Sequence, residues 1–370
     1  MKIAFVHDWL TSFGGAERVL LKLHENFPKA PIYTLVYNKK NMEKYFSNIK
    51  VITSFMQKIP GSKKHYREML PLMPMAIEQF NLKDYDLIIS SSSACAKGIN
   101  VSSKTIHICY CHTPMRYAWD MYNEYNDSKN KIKKFIIAKS MSKLRIWDYV
   151  SSNRVDYFIA NSENVRKRIE KHYRREAYVI YPPIKNEFYG ACKNEEIQDY
   201  YLLVTRLVKY KSTELIIKAF NENGKKLVII GTGPDEKKLK RIAKNNIKFL
   251  KNVSDEELKN YYKKCKAFVF MAEEDFGMVM AEVQASGRPV IAYEKGGAKE
   301  IVIDGKTGIL VKEKNIEKLN EAVEKMEKEY LNYSSEEIIK NAKRFSEDEF
   351  KNKINEFIER VIEEHKININ

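Results

Sequence analysis

The chain of 370 residues is poor in the residues that a disulfide framework requires, with five cysteines in all. Small secreted domains are dense in cysteine, so this dispersed set predicts buried or free thiols in a reducing cytoplasm. Cys109, Cys111 and His112 form the cluster that most resembles a set of metal ligands. No second pair follows at the spacing of a zinc site, and we expect no structural metal.

Long apolar runs are also absent. The apolar segments, such as Leu227–Ile230, are far shorter than the ~20 residues that cross a bilayer. Residues 1–6 form too brief an apolar stretch for the core of a signal peptide and instead predict a first β-strand. The sequence therefore predicts a cytoplasmic protein without a membrane-spanning segment.

Acidic residues are outnumbered by basic ones, 49 against 65, which gives a net charge of +16. Such an excess favours a negatively charged partner: nucleic acid, an anionic membrane surface or a phosphorylated small molecule. Apolar residues make up 44% of the chain, enough to bury a core and to exclude global disorder. The length predicts two domains.

Short apolar runs alternate with amphipathic segments along most of the chain, a pattern typical of parallel α/β folds. Two such sets follow each other and predict two Rossmann-like domains. The predicted strands are 3–7, 32–36, 50–52, 87–90, 104–110, 157–160 and 178–181 in the first set, then 201–204, 227–230, 247–249, 267–271 and 290–292 in the second.

The segment Tyr181-Pro182-Pro183-Ile184 separates the two sets, because neither a helix nor a central strand continues easily through two prolines. We assign residues 1–183 to the first domain and 184–346 to the second. Residues 347–370 are predicted to form an amphipathic helix that packs back across the interdomain seam. Ligands of this architecture bind at the carboxyl ends of the strands, so we expect two domains that face each other across a deep cleft.

The segment from Glu273 to Glu282 follows a predicted strand and leads into a predicted helix. Gly277 allows a tight turn, and the amides after it form an anion site at a helix N-terminus. Ionised carboxylates such as those of Glu274 and Glu282 accept hydrogen bonds from sugar hydroxyls. The structural alternative is that Glu274 only complements the helix dipole and that Glu282 is only solvated.

Loops after other predicted strands contain candidate phosphate-binding groups. Arg206 and Lys211 are cations that can converge on a diphosphate, although basic pairs are common in so basic a chain. Gly14, Gly15 and Gly231 allow a ligand to approach the backbone, and plain turns explain these glycines equally well. The loop that contains Gly14 and Gly15 lacks the full glycine fingerprint of dinucleotide-binding proteins.

His112 lies just past the predicted strand 104–110, at the start of a segment that carries Arg116, Trp119 and Asp120. Single histidines more often serve as structural hydrogen-bonding groups than as catalysts. The neighbouring aromatic, arginine and aspartate side chains nonetheless favour a carbohydrate site, because such sites combine stacking faces with polar anchors.

Together these elements resemble the retaining family 4 glycosyltransferases of the GT-B fold over nearly the whole chain. Glu274 and Glu282 resemble the two glutamates of the family's E-x7-E motif. The cations at 206 and 211 resemble its diphosphate-binding pair, and the glycines at 14 and 15 resemble its N-terminal glycine loop. The segments 7–10, 112–120 and 274–277 resemble those of bacterial surface-polysaccharide mannosyltransferases of the O-antigen type. Met280 departs from the family, whose members often carry proline there.

The resemblance implies a role for each group. Arg206 and Lys211 would neutralise the donor diphosphate and stabilise the departing nucleotide. His112 would contact the transferred sugar near the reaction centre. The remaining donor-binding residues would be Glu274 at the sugar hydroxyls, the amides of Phe276, Gly277 and Met278 beside sugar and phosphate, Glu282 at the ribose, Val253 near the base, Gly14 and Gly15 at the phosphates, and Gly231.

The resemblance further implies GDP-mannose as the nucleotide-sugar donor, with a UDP-sugar as the alternative on the same fold. It implies transfer to a lipid-linked saccharide or oligosaccharide in the synthesis of a cell-surface polysaccharide such as lipopolysaccharide. The family retains the anomeric configuration without a metal, and no D-x-D-type metal motif accompanies these elements. We therefore expect no cofactor besides the donor substrate.

Two stretches of the first half, residues 55–75 and 129–145, mix basic and apolar side chains. Such segments can lie on anionic lipid, which predicts peripheral attachment to the inner face of the membrane. The alternative is a solvated helix face in a lysine-rich protein. Two other classes also remain open: a nucleic-acid-binding protein, although no reader module is recognisable, and a nicotinamide-dependent oxidoreductase, although the glycine fingerprint with its acidic partner is missing.

Overall fold

A computed structural model of the chain describes residues 1–125 and 130–369. It divides into two units, one formed by residues 1–181 and 351–370 and the other by residues 182–350. The division falls between Tyr181 and Pro182, inside the segment with two prolines. Residues 351–369 of the C-terminal helix belong to the first unit.

The first unit is built on a parallel sheet of seven strands in the order β3-β2-β1-β4-β5-β6-β7. The central strands β4 and β5 are buried at every position, as expected for a parallel sheet that is covered on both faces. The strands are β1 (Ile3–His7), β2 (Ile32–Thr34), β3 (Val51–Thr53), β4 (Leu87–Ser92), β5 (Ile106–Cys111), β6 (Tyr157–Ala160) and β7 (Tyr178–Val179).

Within the described residues, seven helices of this unit lie along the chain between its strands, and most of the C-terminal helix also belongs to it. In α1, for example, the apolar residues Val19, Leu20 and Leu23 are buried. The helices are α1 (Gly15–Glu25), α2 (Lys39–Phe46), α3 (Ser62–His65), α4 (Met73–Glu78), α5 (Tyr122–Tyr125), α6 (Lys131–Ser152), α7 (Glu163–Tyr173) and the C-terminal α15 (Glu347–Ile369).

The second unit contains a parallel sheet of six strands in the order β10-β9-β8-β11-β12-β13. The strands are β8 (Tyr201–Val204), β9 (Leu227–Ile230), β10 (Ile247–Leu250), β11 (Ala267–Phe270), β12 (Val290–Tyr293) and β13 (Gly308–Val311). The helices are α8 (Thr213–Asn223), α9 (Glu236–Ile242), α10 (Asp255–Lys264), α11 (Met278–Ala285), α12 (Ala298–Ile301), α13 (Ile316–Glu329) and α14 (Ser335–Ala342).

The structure confirms the predicted α/β class with two Rossmann-like halves. Some bounds differ for local reasons. The strand predicted at 32–36 ends at Thr34, and the one predicted at 178–181 ends at Val179, shortly before the two prolines. Strand β13 was not predicted, because it begins with a glycine and is only four residues long.

The two basic and apolar stretches differ in how they are packed. Most apolar side chains of residues 55–75 belong to the core of the first unit, and Met56, Tyr66 and Met73 are buried there. Helix α6 instead leaves Ile132, Phe135, Ile136, Ile146, Tyr149 and Val150 exposed along one side. Lys129, at the start of the second stretch, lies outside the described residues. No helix among those described is both long and apolar enough to traverse a lipid bilayer.

A buried charged group joins four segments of the first unit. The Asp148 carboxylate on α6 accepts hydrogen bonds from Lys97 Nζ, from Trp119 Nε1 at 2.7 Å and from Tyr173 Oη at 2.8 Å. The Lys97 and Asp148 side chains are 1% and 0% exposed. Burial lowers the pKa of Lys97, but the charge and hydrogen bond of Asp148 more than reverse this effect and raise it above its ordinary value. The pair is therefore ionised, and each charge depends on the other.

We expect Lys97→Met to lower the free energy of unfolding of the first unit by about 3–5 kcal/mol, because it leaves the Asp148 carboxylate buried without its cation. All three tryptophans, Trp9, Trp119 and Trp147, lie in this unit. Urea unfolding followed by tryptophan fluorescence therefore measures its stability selectively.

The double variant Lys97→Met/Asp148→Asn should recover much of this loss, since the amide carries no charge and still offers an oxygen to Trp119. Lys39→Met, which breaks the exposed ion pair with Glu43, is the control and should change stability by less than about 1 kcal/mol. Equal losses for Lys97→Met and Lys39→Met would contradict the assignment of Asp148 as the buried centre of this unit.

Candidate functional site

The carboxyl edge of the second sheet brings together the two strongest sequence motifs. Strands β8 and β11 are neighbours and run parallel, so the loops that follow them leave the sheet at the same edge. The first loop ends in a short 3-10 turn, Lys209–Lys211, and the second contains Glu274. Lys211 Nζ donates a hydrogen bond to Glu274 Oε1 in an ion pair whose side chains are 14% and 19% exposed. The sequence placed both residues in a donor site but did not predict this contact.

Aromatic rings surround part of the Lys211 ammonium group. It lies 5.1 Å from the centroid of the Tyr210 ring and 5.5 Å from that of Phe270. Such contacts stabilise a cation without neutralising it. The Arg206 side chain is exposed, and its guanidinium group has no hydrogen-bond or ion-pair partner in residues 1–125 and 130–369. The edge therefore offers one arginine open to an anion and one lysine held by a carboxylate.

Two glycines that the sequence analysis did not single out support the Glu274 loop. Gly297 N–H donates to Glu274 O at 3.0 Å, and Gly296 forms a parallel bridge with Glu274. A Cβ atom at Gly296 would lie 2.1 Å from Glu274 O, and one at Gly297 would lie 2.0 Å from Phe276 O. Only glycine permits this approach. The signal available in the sequence was an adjacent glycine pair shortly after a predicted strand.

Gly277 adopts a left-handed conformation with φ of 98° and precedes α11, as the predicted tight turn requires. Met278 is the first residue of the helix. The ring of Phe276 packs against that of Phe345, with 5.1 Å between the ring centroids. Met280 N–H donates to Gly277 O at 2.9 Å, a bond that the proline common in similar proteins could not make. The loop and the helix start are thus held firmly without the proline.

Glu282 lies inside α11 and is 1% exposed, so the alternative that it is merely solvated is wrong. Its Oε2 atom accepts a hydrogen bond from Tyr262 Oη at 2.9 Å. The tyrosine is itself fully buried on α10. A buried carboxylate that is held by a hydroxyl is oriented for further hydrogen bonds rather than for bulk water.

Gly231 and Val253 follow the next strands along the same edge. Gly231 comes after β9 and packs against the backbone of Thr205, where a Cβ atom would lie 1.9 Å from the carbonyl oxygen. Val253 comes after β10, is half-buried and precedes Ser254, which caps α10. The predicted donor residues of this unit therefore follow four adjacent strands, β10, β9, β8 and β11.

In the first unit, three polar side chains form a row across the neighbouring strands β1, β4 and β5. His7 is paired in register with Ser91, and His112 directly follows β5. His7 Nδ1 lies 3.1 Å from both Ser91 O and Ser91 Oγ, and Ser91 Oγ lies 2.8 Å from His112 Nε2. Burial, followed by the charge of His7, lowers the pKa of His112 to about 3. The His112 ring is therefore neutral at physiological pH.

The glycine loop joins the same row through Glu17. Gly14 N–H donates to Glu17 Oε2 at 2.9 Å at the start of α1, and Gly15 is the first residue of that helix. Glu17 Oε1 lies 3.6 Å from His7 Nε2. Gly14 has a φ of −149°, which is extended backbone open to any residue. Sequence reasoning missed Glu17 and Ser91, because their contacts depend on the strand order.

The segment that follows His112 is held by side chains of α6 and α7. Trp119 donates to Asp148 and stacks on the His172 ring at a centroid distance of 4.6 Å. Asp120 contacts His172 Nε2 at 3.2 Å and Arg168 Nε at 3.4 Å. The hydrogen bond from His172 is the largest cause of the lowered pKa of Asp120. These two residues therefore hold the segment in place.

The thiols of Cys109 and Cys111 are buried, and the described residues contain no group of three or more His, Cys, Asp or Glu side chains that could hold a metal ion.

Two family models match consecutive parts of the chain and together cover most of it. The model for glycosyltransferase family 4 matches residues 13–188, and the model for glycosyl transferases group 1 matches residues 190–345. The match boundaries fall close to the division between the two units. Gly14, Gly15 and His112 of the first unit therefore lie within the first match, and the candidate residues of the second unit lie within the second match.

The chain is similar to curated proteins over part of their length. It is 31% identical over 193 residues to the uncharacterized glycosyltransferase MJ1178 of Methanocaldococcus jannaschii, which covers 51% of this chain and 54% of that protein. It is 30% identical over 138 residues to a GDP-mannose-dependent alpha-(1-6)-phosphatidylinositol monomannoside mannosyltransferase of Mycolicibacterium smegmatis, which covers 32% and 36%. The chain thus spans about half or less of these relatives.

Solved structures of similar fold match almost the whole chain. Anabaena Alr3699/HepE in complex with UDP-glucose has 18% sequence identity and a TM-score of 0.71, with 97% of this chain and 100% of that chain covered. Sucrose-phosphate synthase from Thermosynechococcus elongatus has 15% identity and a TM-score of 0.74, with 98% and 99% covered. At these identities the likeness shows the fold alone.

Proposed function

Because the chain belongs to the glycosyltransferases that these two family models describe, we propose that it moves a hexose from a nucleotide sugar to a saccharide acceptor. The proposed donor is GDP-mannose, and the proposed transfer retains the configuration of the sugar without a metal cofactor. The acceptor is a lipid-linked saccharide or oligosaccharide, in the synthesis of a cell-surface polysaccharide.

The observation that supports this proposal most is the contact between Lys211 and Glu274 at the edge of the second sheet. A lysine suits a diphosphate, and a carboxylate suits sugar hydroxyls. In a nucleotide sugar these two chemical groups are directly bonded, so one ligand can engage both residues. The ion pair is partly exposed, and a bound donor can therefore replace each residue's present partner with its own charge or hydroxyls.

The other residues take roles that their surroundings support. We propose that Arg206, which is exposed and whose guanidinium group has no partner among the described residues, binds the diphosphate together with Lys211. The amides of Phe276, Gly277 and Met278, at the start of α11, suit the phosphate and sugar oxygens. Glu282 is proposed to bind the ribose and Val253 to lie near the base.

The first unit contributes His112 to the proposed reaction, at the transferred sugar, with Gly14 and Gly15 at the phosphates. A neutral imidazole can donate to or accept from a sugar hydroxyl without adding positive charge. This property suits a reaction in which positive charge develops on the donor sugar.

The choice of mannose rests on the resemblance of segments 7–10, 112–120 and 274–277 and on the GDP-mannose-dependent relative of Mycolicibacterium smegmatis named above. A UDP-sugar remains the second candidate, because structures of similar fold bind UDP or UDP-glucose.

We also propose that the protein lies on an anionic membrane through helix α6 rather than through residues 55–75. The exposed apolar residues of α6 recur at helical spacing, and exposed Lys139 and Lys143 lie on the same side. The sequence contains no acidic residue between Lys131 and Trp147. Apolar side chains among lysines fit a negatively charged lipid surface and disfavour a second copy of the same helix, which would bring like charges together.

The donor is tested by melting temperature and donor hydrolysis with GDP-mannose, UDP-glucose, UDP-N-acetylglucosamine, ADP-glucose, NADH and duplex DNA, each with and without EDTA. We expect stabilisation and slow hydrolysis with GDP-mannose, unchanged by EDTA. A response to a UDP-sugar instead would overturn the mannose assignment. A response to NADH or DNA alone would overturn the proposed function.

We expect Glu274→Ala and Lys211→Ala each to lower transfer at least about a hundredfold, the scale of losing one charge-stabilising contact in an active site. Initial rates of transfer at saturating donor measure this effect. Lys218→Ala is a matched control, since it breaks an exposed ion pair with Glu214 in the same unit and should leave the rate unchanged. Near-normal turnover of either site variant, with unchanged melting, would contradict the role of that residue.

Sedimentation with liposomes at low salt tests the membrane contact. We expect preference for anionic over neutral vesicles, and a loss of about tenfold or more in affinity for Lys139→Gln/Lys143→Gln, because each basic residue near the surface contributes on the order of 1 kcal/mol. Lys63→Gln/Lys64→Gln, in the 55–75 stretch, is the matched control and should bind nearly as wild type. Equal losses of affinity for the two double variants, or no preference for anionic lipid, would contradict the proposed membrane contact through α6.

A further inference from the structure

We propose that Ser91, supported by His7 and Glu17, is a positioning residue that holds His112 in the tautomer protonated on Nδ1. This inference rests on the proposed function, in which His112 acts on the transferred sugar. It assigns to the proposed reaction three residues, on β1, β4 and α1, that lie outside the motifs of the sequence analysis or had no role there.

The hydrogen positions follow from what each atom can donate. Ser91 O is a carbonyl oxygen and only accepts, so His7 Nδ1, at 3.1 Å from it, carries the hydrogen. The same N–H lies 3.1 Å from Ser91 Oγ and can be shared with it. Ser91 therefore keeps its own hydroxyl hydrogen for another acceptor.

His112 Nε2 is that acceptor, at 2.8 Å from Ser91 Oγ. Within the part of the chain that the structure describes, the Ser91 hydroxyl contacts no other acceptor, and Ser91 is fully buried away from water. A ring nitrogen that accepts carries no hydrogen, and a neutral imidazole has one. The hydrogen of His112 must therefore be on Nδ1.

The opposite edge of the His112 ring is open to a ligand. Residues 1–125 and 130–369 provide no hydrogen-bond partner for its Nδ1 atom. The His112 side chain is also only half-buried. The lowered pKa of His112 agrees with a neutral ring. The arrangement thus presents one N–H donor, in a direction set by Ser91, to a sugar oxygen.

His7 and Glu17 fix the serine in turn. His7 is 2% exposed and Glu17 is 7% exposed, and the Glu17 carboxylate faces His7 Nε2 at 3.6 Å while it accepts from Gly14 N–H. The chain of contacts therefore runs from the glycine loop to His112 through groups that are almost closed to solvent. A change at Glu17 or His7 can therefore reach His112 through the Ser91 hydroxyl, besides the direct electrostatic effect of His7 on the pKa of His112.

The test combines kinetics with the ring tautomer of His112, read from two-bond 1H–15N correlations of ring-15N histidine and assigned with a His112→Gln variant. Ser91→Ala removes the hydroxyl, and Ser91→Thr retains one. Ser90→Ala is the matched control: it removes a buried serine of the same strand whose Oγ lies 2.8 Å from His107 Nε2, away from the proposed site.

We expect wild-type His112 to show the Nδ1–H pattern. Ser91→Ala should lose it and lower kcat about tenfold to a hundredfold with little change in donor KM, since the misplaced ring still allows binding. Ser91→Thr should recover much of kcat, and Ser90→Ala should leave kcat and the His112 pattern unchanged.

An Nε2–H pattern in wild type, or equal kcat for Ser91→Ala and Ser90→Ala, would overturn the inference. If no nucleotide sugar is turned over at all, the proposed function fails, and the tautomer of His112 in wild type and Ser91→Ala still decides whether Ser91 holds the ring.

Discussion

Parallel pairing of adjacent strands is the constraint on which both candidate regions depend. It carries the ends of β1, β4 and β5 to one edge of the first sheet, where His7, Ser91 and His112 come into contact although His7 and Ser91 are 84 residues apart in sequence. It does the same for β8 and β11 in the second sheet, whose following loops hold Lys211 and Glu274. Each polar contact is thus a consequence of strand order, and no single segment contains it.

This dependence explains what the sequence could predict. The alternation of strands and helices, the tight turn at Gly277 and the position of His112 after a strand are local features, and the structure has them where they were expected. The contact of Ser91 with two histidines and the support of the Glu274 loop by Gly296 depend on which strands are neighbours. Apolar periodicity specifies that a strand exists but not its neighbour, so these contacts could not be read from the sequence.

Two lysine–carboxylate pairs, one in each unit, differ in a way that separates stability from function. Lys97 and Asp148 are closed to solvent, and the carboxylate also accepts hydrogen bonds from a tryptophan and a tyrosine. Exchange of partners there would leave a buried charge alone, so this pair holds the first unit together. Lys211 and Glu274 retain 14% and 19% exposure. Solvent already reaches this pair. A charged ligand that replaces one partner therefore leaves neither charge buried without water or a counter-charge.

The groups that the proposed function assigns to the donor differ in charge between the two units. The second unit presents cations and a helix N-terminus, which suit a diphosphate whose negative charge grows as the bond to the sugar breaks. The first unit instead keeps the His112 ring uncharged chiefly by burial, the largest cause of its lowered pKa. An uncharged donor can hold a sugar hydroxyl without opposing positive charge on the sugar, whereas an imidazolium in its place would oppose it. The neutral ring and the cationic edge are therefore complementary requirements of one proposed reaction.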